Sequence, residues 1–325
     1  MTQPKRFVIE VSGRYGAIDL AGNIAIEPRF EFLGEFSEGL ACFKEAGRFG
    51  FVDTAGHAVL EPKWVSTLLA GPRFSGGLAA IGVAGQLNYI DTQGSASLPG
   101  PFYFATDFKD GLAFVQRSST QAGYEIIDRT GAAISKLAVF EVPFGSGWPR
   151  NWDSFACLVE VDGRLLAGHF NSRGECLFAP KYPLMTNFEN GVAGFCEHEG
   201  YLERPFGLVA LSGEVLKSPA YFGMGGFEEG LASAGKAPRE FGFINTQGDW
   251  VIEPQYRQAR PFSEGLACVT VNQRKGFINV KGDMVIEPRF DHEAEFKNGL
   301  VLVEFEGFRA YIDPSGKTVW KSEKS

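Results

Sequence analysis

The residues best suited to metal or nucleophilic chemistry crowd the middle of the chain: Cys157, His169, Cys176, Cys196 and His198. A structural zinc site draws on thiolates and neutral imidazoles, commonly arriving as close pairs such as Cys-x-x-Cys. No such pair occurs here. Cys157 stands three residues after a recurrent glycine position, as Cys42 and Cys268 do, where a small core residue is expected. Nucleophilic catalysis would require Ser or Cys beside a His that is oriented by an acid. The four His (His57, His169, His198, His292) fall at unrelated places in the pattern described below, and no nucleophile-elbow phrase is present. The run GMGGFEEG at 223–230 lacks the Lys-Ser/Thr ending of a phosphate loop. A recurrent Asp or Asn offers one oxygen per turn, whereas a calcium loop converges several. The sequence therefore nominates no catalytic residue, no metal ligand and no cofactor.

What the sequence does contain is repetition. FSEGLA occurs at 36–41 and 262–267, with relatives FSGGLA (74–79), FKDGLA (108–113), FENGVA (188–193), FEEGLA (227–232) and FKNGLV (296–301). DSFA at 153–156 reads as an eighth, degenerate copy with Ser154 in the glycine's place. A second phrase, an apolar residue followed by Asp or Asn and then Gly three later, ends at Gly22, Gly56, Gly94, Gly131, Gly174, Gly213, Gly248, Gly282 and Gly316. The intervals are 34, 38, 37, 43, 39, 35, 34 and 34 residues, so nine units span the chain and the middle ones carry insertions.

Each unit reads as strands. GLVLVEFE, FRAYID and KTVWK in the last unit alternate β-branched or aromatic residues with short Gly-bearing turns. The Asp or Asn opening the second turn can accept a backbone N–H while the Gly supplies positive φ. The third strand often ends in Glu-Pro-x-aromatic, as in EPRF at 27–30 and 287–290, and Pro belongs at a strand end or edge. The aromatic after it, such as Phe30 or Phe290, is expected to pack between neighbouring units. The glycine of FSEGLA is expected at a positive-φ turn or a close approach of chains.

Tyr15-Gly16, Phe49-Gly50, Phe206-Gly207 and Phe241-Gly242 precede the Asp turn as aromatic-Gly pairs; Asn88, Glu125 and Ala310 replace the Gly in other units. With the Pro-aromatic and Phe-x-x-Gly-Leu-Ala phrases, the whole chain resembles the WG-repeat (WG β-repeat) family of bacterial proteins. The resemblance implies a β-repeat fold and carries no particular activity with it.

The fold class expected is all-β: nine tandem three-stranded antiparallel meanders in a single repeat domain over 1–325. Three strands and nine units favour an open or nearly closed β-superhelix, or solenoid. A fourth strand between EPRF and FSEG would favour the alternative, a propeller-like ring, because propeller blades have four.

A formal charge of −8 argues against nucleic-acid or anionic-membrane partners, which select clustered Lys and Arg. Five scattered Cys and an amino terminus with no apolar run before a small-residue cleavage site set a cytoplasmic location as the expectation. Function is expected where the units stop being alike. The insertion at 138–160 brings Phe144, Trp148, Arg150 and Trp152 into a Pro- and Gly-rich loop, and a second at 197–207 adds Tyr201 and Arg204. These are residue types that dominate binding hot spots. The expectation is a non-catalytic module binding a protein or peptide, regulatory or an acidic antagonist of a basic protein. The alternative is an enzyme or enzyme accessory with a pocket at the middle units.

Overall fold

The computed structural model describes residues 3–65, 71–83, 86–120, 123–139, 152–198, 205–292 and 294–324. These residues form nine small antiparallel sheets, with no helix among them. The sheets, hereafter blades 1 to 9, occupy 7–30, 32–64, 74–91, 104–137, 155–182, 184–222, 224–256, 258–290 and 301–321. Blades 1 to 4 lie in one compact unit, Met1–Ala138, and blades 5 to 9 in another, Val139–Ser325.

Blade 8 shows the plan. Gln258–Ser263, Leu266–Val271, Arg274–Asn279 and Met284–Phe290 run as a meander, each paired with the next. The last three are the strands expected from sequence. The first is the additional strand that the propeller-like alternative required, and it completes blades 2, 4, 6, 7 and 8. In blade 2 it is only Phe32–Leu33. Blade 3 keeps its first strand, Phe74–Ser75, but replaces its last with two isolated bridges, Leu87 to Phe102 and Ile90 to Ala96.

The FSEGLA phrase is a two-residue hairpin between the first and second strands. Glu38 and Gly39 have φ of 54° and 82°, and Ser37 and Leu40 exchange N–H to C=O bonds of 2.9 and 3.0 Å. Positive φ at both central residues is what a type I′ hairpin needs, and its twist matches that of the strands it joins. At Gly265 nothing lies within 4 Å of where a Cβ would be built, so conformation (φ 80°) and not space selects glycine there. The aromatic-Gly glycine is selected differently. A Cβ on Gly242 would stand 2.2 Å from the Ile252 carbonyl oxygen, where the register between the third and fourth strands shifts. Gly16 and Gly50 meet Ile26 and Leu60 in the same way, at 2.4 and 2.5 Å.

The Asp or Asn turns behave as expected from their side chains. Asp19 Oδ1 accepts the N–H groups of Ala21 and Asn23 at 2.9 Å, and Asn171, Asn245, Asn279 and Asp313 make the same pair of contacts. The side-chain hydrogen bond from Asn23 holds the Asp19 carboxyl below its usual range.

Within each compact unit, apolar residues are shared between consecutive blades. Leu266, Phe277, Ile286 and Phe290 of blade 8 pack with Phe296, Val301, Val303 and Ile312 at blade 9. Leu78, Tyr89 and Phe102 at blade 3 pack with Phe108, Val115 and Ile127 at blade 4. The aromatic after the proline sits between units: Phe290 is fully buried with its ring 5.9 Å from Phe305, and Phe30 lies 5.0 Å from Phe43. Burying one such side chain contributes about 1.5–3 kcal/mol, so a single blade has little core of its own and depends on its neighbour.

Candidate functional site

Blade 5 is where the repeat breaks. Among the described residues it has three strands, of which Phe155–Val161 is the first, with no strand before it. Of the residues singled out there from sequence, Phe144, Trp148, Arg150, Tyr201 and Arg204 lie outside the described residues. Trp152 is described: it is buried, its ring 5.7 Å from Phe155 in edge-on contact, and its carbonyl accepts the Ser172 N–H at 2.9 Å. It anchors the carboxyl-terminal end of the insertion in blade 5.

Strand pairing corrects the sequence alignment of DSFA. Ala41 pairs with Val52 in blade 2, whereas in blade 5 it is Phe155 that pairs with Phe170, the counterpart of Val52. The strand is thus offset by one residue from the alignment of the phrase. Asp153, not Ser154, therefore falls in the glycine's place. Cys157 faces Gly168 as Phe43 faces Gly50, and Ala156 is the counterpart of Cys42. Cys157 remains a core residue, 3% exposed, its thiol pushed well above the normal range by burial.

The shift brings Ser154 to His169. The imidazole is fully buried, with Nδ1 3.2 Å from Ser154 Oγ and Nε2 3.1 Å from the Thr186 carbonyl oxygen of the next blade. A carbonyl only accepts, so Nε2 carries the proton and Nδ1 accepts from the Ser154 hydroxyl. Burial lowers the His169 pKa to about 4, which keeps the ring neutral near neutral pH. The Phe188 ring packs against it at 4.5 Å.

A Ser–His contact invites a catalytic reading, but the repeat gives it an architectural one. His169 occupies the place held by Phe51 and Phe277 in regular blades, and Tyr89 holds it in blade 3. The Tyr89 hydroxyl donates to the carbonyl of Thr106, which has the same place in blade 4 that Thr186 has in blade 6. Each Thr Oγ1 in turn accepts a strand N–H, from Phe114 at 3.0 Å and from Gly194 at 2.8 Å. Two polar rings thus bond one blade to the next through the same carbonyl. The signal was present in the sequence as two polar rings at this place, Tyr89 and His169, each followed 17 residues later by Thr.

A second feature passed over in sequence lies at the hairpins. Glu38 of blade 2 reaches blade 3, where its two carboxylate oxygens accept the N–H groups of Gly76 and Gly77 at 2.7 and 2.8 Å. Glu229 reaches Gly265 at 3.1 and 3.3 Å, and Glu264 reaches Gly299 at 2.8 Å. The type I′ turn points these N–H groups outward, and the preceding turn's acid covers them. Among the described residues, no group of three or more His, Cys, Asp or Glu side chains could hold a metal ion.

Fold and repeat together define an all-β protein of tandem antiparallel blades. The family model described as "WG containing repeat" matches it at four stretches, residues 15–48, 89–118, 241–274 and 276–307. All four stretches lie outside 119–240, the region that holds both insertions. No curated protein matches the chain in sequence. Among solved structures, the chain is similar to one titled "Crystal structure of the eukaryotic initiation factor", at 11% identity over 99% of this chain and 88% of that one, with a TM-score of 0.46. An uncharacterised protein from Listeria monocytogenes aligns at 8% identity over 76% of this chain and 92% of its own, TM-score 0.46. Kluyveromyces lactis Hsv2 aligns at 8% identity over 75% and 93%, TM-score 0.43.

Proposed function

We propose that this chain is a non-catalytic binding module for a protein or peptide partner, working in the cytoplasm. Partner recognition is assigned to the two insertions of the middle units, through Phe144, Trp148, Arg150, Tyr201 and Arg204, with Trp152 as the buried anchor of the first. The observation that carries this reading is the break in the repeat at blade 5, whose DSFA phrase lacks the hairpin glycine just where the aromatic and arginine residues are inserted. A regular repeat gains nothing in stability from such a break, and loops carrying aromatic and Arg side chains on a rigid scaffold are where binding residues concentrate. The acidic balance of −8 suits a partner with basic character. His169, the described group closest in character to a catalytic base, has both ring nitrogens engaged in holding blades together, and so lends the enzyme alternative no support.

The test is affinity capture from the native cell lysate with the parent chain and with a Trp148→Ala/Arg150→Ala double variant. Partner recovery should be abolished in the variant while its melting temperature stays that of the parent. Undiminished capture would sink the assignment.

A further inference from the structure

The hairpins of blades 3, 8 and 9 each have their outward N–H groups covered by a glutamate carboxylate from the turn before. The hairpin of blade 4 is built the same way: Asp110 and Gly111 have φ of 50° and 83°, and Lys109 and Leu112 exchange bonds of 2.9 and 3.0 Å. The residue that should cover it is position 76, the counterpart of Glu38, Glu229 and Glu264, and that residue is Gly76. The Gly111 N–H meets no acceptor among the described residues, and Gly111 is only half-buried.

A cation stands beside this turn. Arg129, exposed in the Asp turn of blade 4, has no ion pair or hydrogen bond among the described residues. Its Nη2 lies 3.1 Å from where a Cβ on Gly77 would be, and its Cδ 3.7 and 4.0 Å from those on Gly76 and Gly111. No other unit carries Arg or Lys at this place in the Asp turn: Leu20, Thr54, Thr92, Ser172, Leu211, Thr246, Val280 and Pro314 stand there instead. The neighbouring Arg73 is engaged with Asp107 at 2.8 Å. The turn of blade 7 also lacks an internal carboxylate, with Asn190 at the place of the acid, but only the blade 4 turn pairs that lack with a guanidinium that has no partner among the described residues. Outward turn N–H groups form an anion-binding concavity, and a guanidinium adds a charge-assisted donor shaped for carboxylate.

We propose that the blade 3–blade 4 hairpin edge, formed by Gly76, Gly111 and Arg129, is a docking site for a carboxylate side chain, Glu or Asp, presented by a partner protein. The partner's acid takes the place that Glu38, Glu229 and Glu264 take within the chain. This site is independent of the insertion loops and stands whether or not they bind a partner.

The experiment is amide NMR of the full chain labelled with 15N-glycine. It is titrated with acetyl-Gly-Glu-Gly-amide, the Gln counterpart of that peptide, sodium acetate, and sodium chloride at matched ionic strength. The Glu peptide should move the Gly111 amide downfield and saturate, while the Gln peptide and chloride leave it in place. Arg129→Gln should weaken the response about two- to five-fold, the scale of one exposed charge pair. Gly76→Glu, introducing the acid found at this place as Glu38, Glu229 and Glu264, should place Gly111 downfield without any ligand and abolish the response. A Gly111 amide that ignores the Glu peptide, or responds equally in Arg129→Gln, overturns the proposal. So does a response to acetate alone, which would make this a small-anion site and not one for a protein side chain.

Discussion

Blades 5 and 8 belong to the same compact unit and are built on the same three-strand meander, yet they are held to their neighbours by different chemistry. Blade 8 has a first strand, a type I′ hairpin, Glu264 reaching Gly299 of the next blade, and Phe277 fully packed in the shared core. Blade 5 has no first strand among the described residues, and in the place of Phe277 it buries a histidine tied to Ser154 and Thr186. The regular blade is joined by apolar area and an exposed carboxylate. The irregular one relies on directional bonds in its interior, which are worth little more than their alternatives in water but are costly to leave unmade. Blade 5 should therefore be specific and pH-sensitive where blade 8 is simply stable.

The largest effect should come from the regular core. Phe277→Ala removes a ring that is 1% exposed and packs 5.1 Å from Phe296, and should cost about 3–5 kcal/mol in chemical denaturation. A cost under about 1 kcal/mol would mean that blades 8 and 9 do not depend on their shared core.

Next comes acid. Burial lowers the His169 pKa from 6.5 to about 4, so between these values the unfolded chain takes up a proton that the native chain refuses. Stability from this group is complete above pH 6.5 and is lost as pH falls toward 4, by about 3 kcal/mol in all. His169→Phe restores the residue type of regular blades and should flatten this part of the profile, leaving the shallower loss from carboxylates such as Asp19. Parallel profiles for parent and variant between pH 6.5 and 4 would refute the contrast between blades 5 and 8.

The hairpin offers two smaller, sharper tests. Gly265→Val should cost about 1–2 kcal/mol through its left-handed backbone alone, lowering the melting temperature by several degrees, since nothing stands where the Cβ would go. Gly265→Asn, a residue that tolerates positive φ, should be milder; equal losses for both would point to crowding instead. Smallest of all, Glu264→Ala should cost up to about 1 kcal/mol, an effect reduced by salt because the contact is exposed.

Much of this was legible in the sequence, for a physical reason: residues fixed by backbone geometry recur wherever the geometry does. The glycines of FSEGLA and of the Asp turns, the prolines and the aromatics after them all mark their positions correctly. What escaped was whatever has no local signature. A first strand as short as Phe32–Leu33 leaves no room for alternation. The one-residue shift in blade 5 is invisible until Phe155 is seen opposite Phe170. The Glu-to-Gly contacts join residues 35 to 39 apart, and nothing in FSEGLA distinguishes a glutamate that bonds the next unit from one that faces solvent. Of the candidate recognition residues, only Trp152 lies within the described structure, where it is a buried anchor.

The glutamate contacts also have a direction. Each acid serves the turn that follows it, never the one before, so donor and acceptor sit one repeat length apart in the same orientation along the chain. At the turn of blade 2, Gln3 lies over Gly39, 2.9 Å from where its Cβ would be. A tandem duplication of one unit would therefore copy an acid and an outward turn together, and the new junctions would close without any compensating change. Growth of such an array by units that carry the acid is chemically neutral at its seams, whereas copying a unit with Gly76 or Asn190 at that place would multiply turns left uncovered.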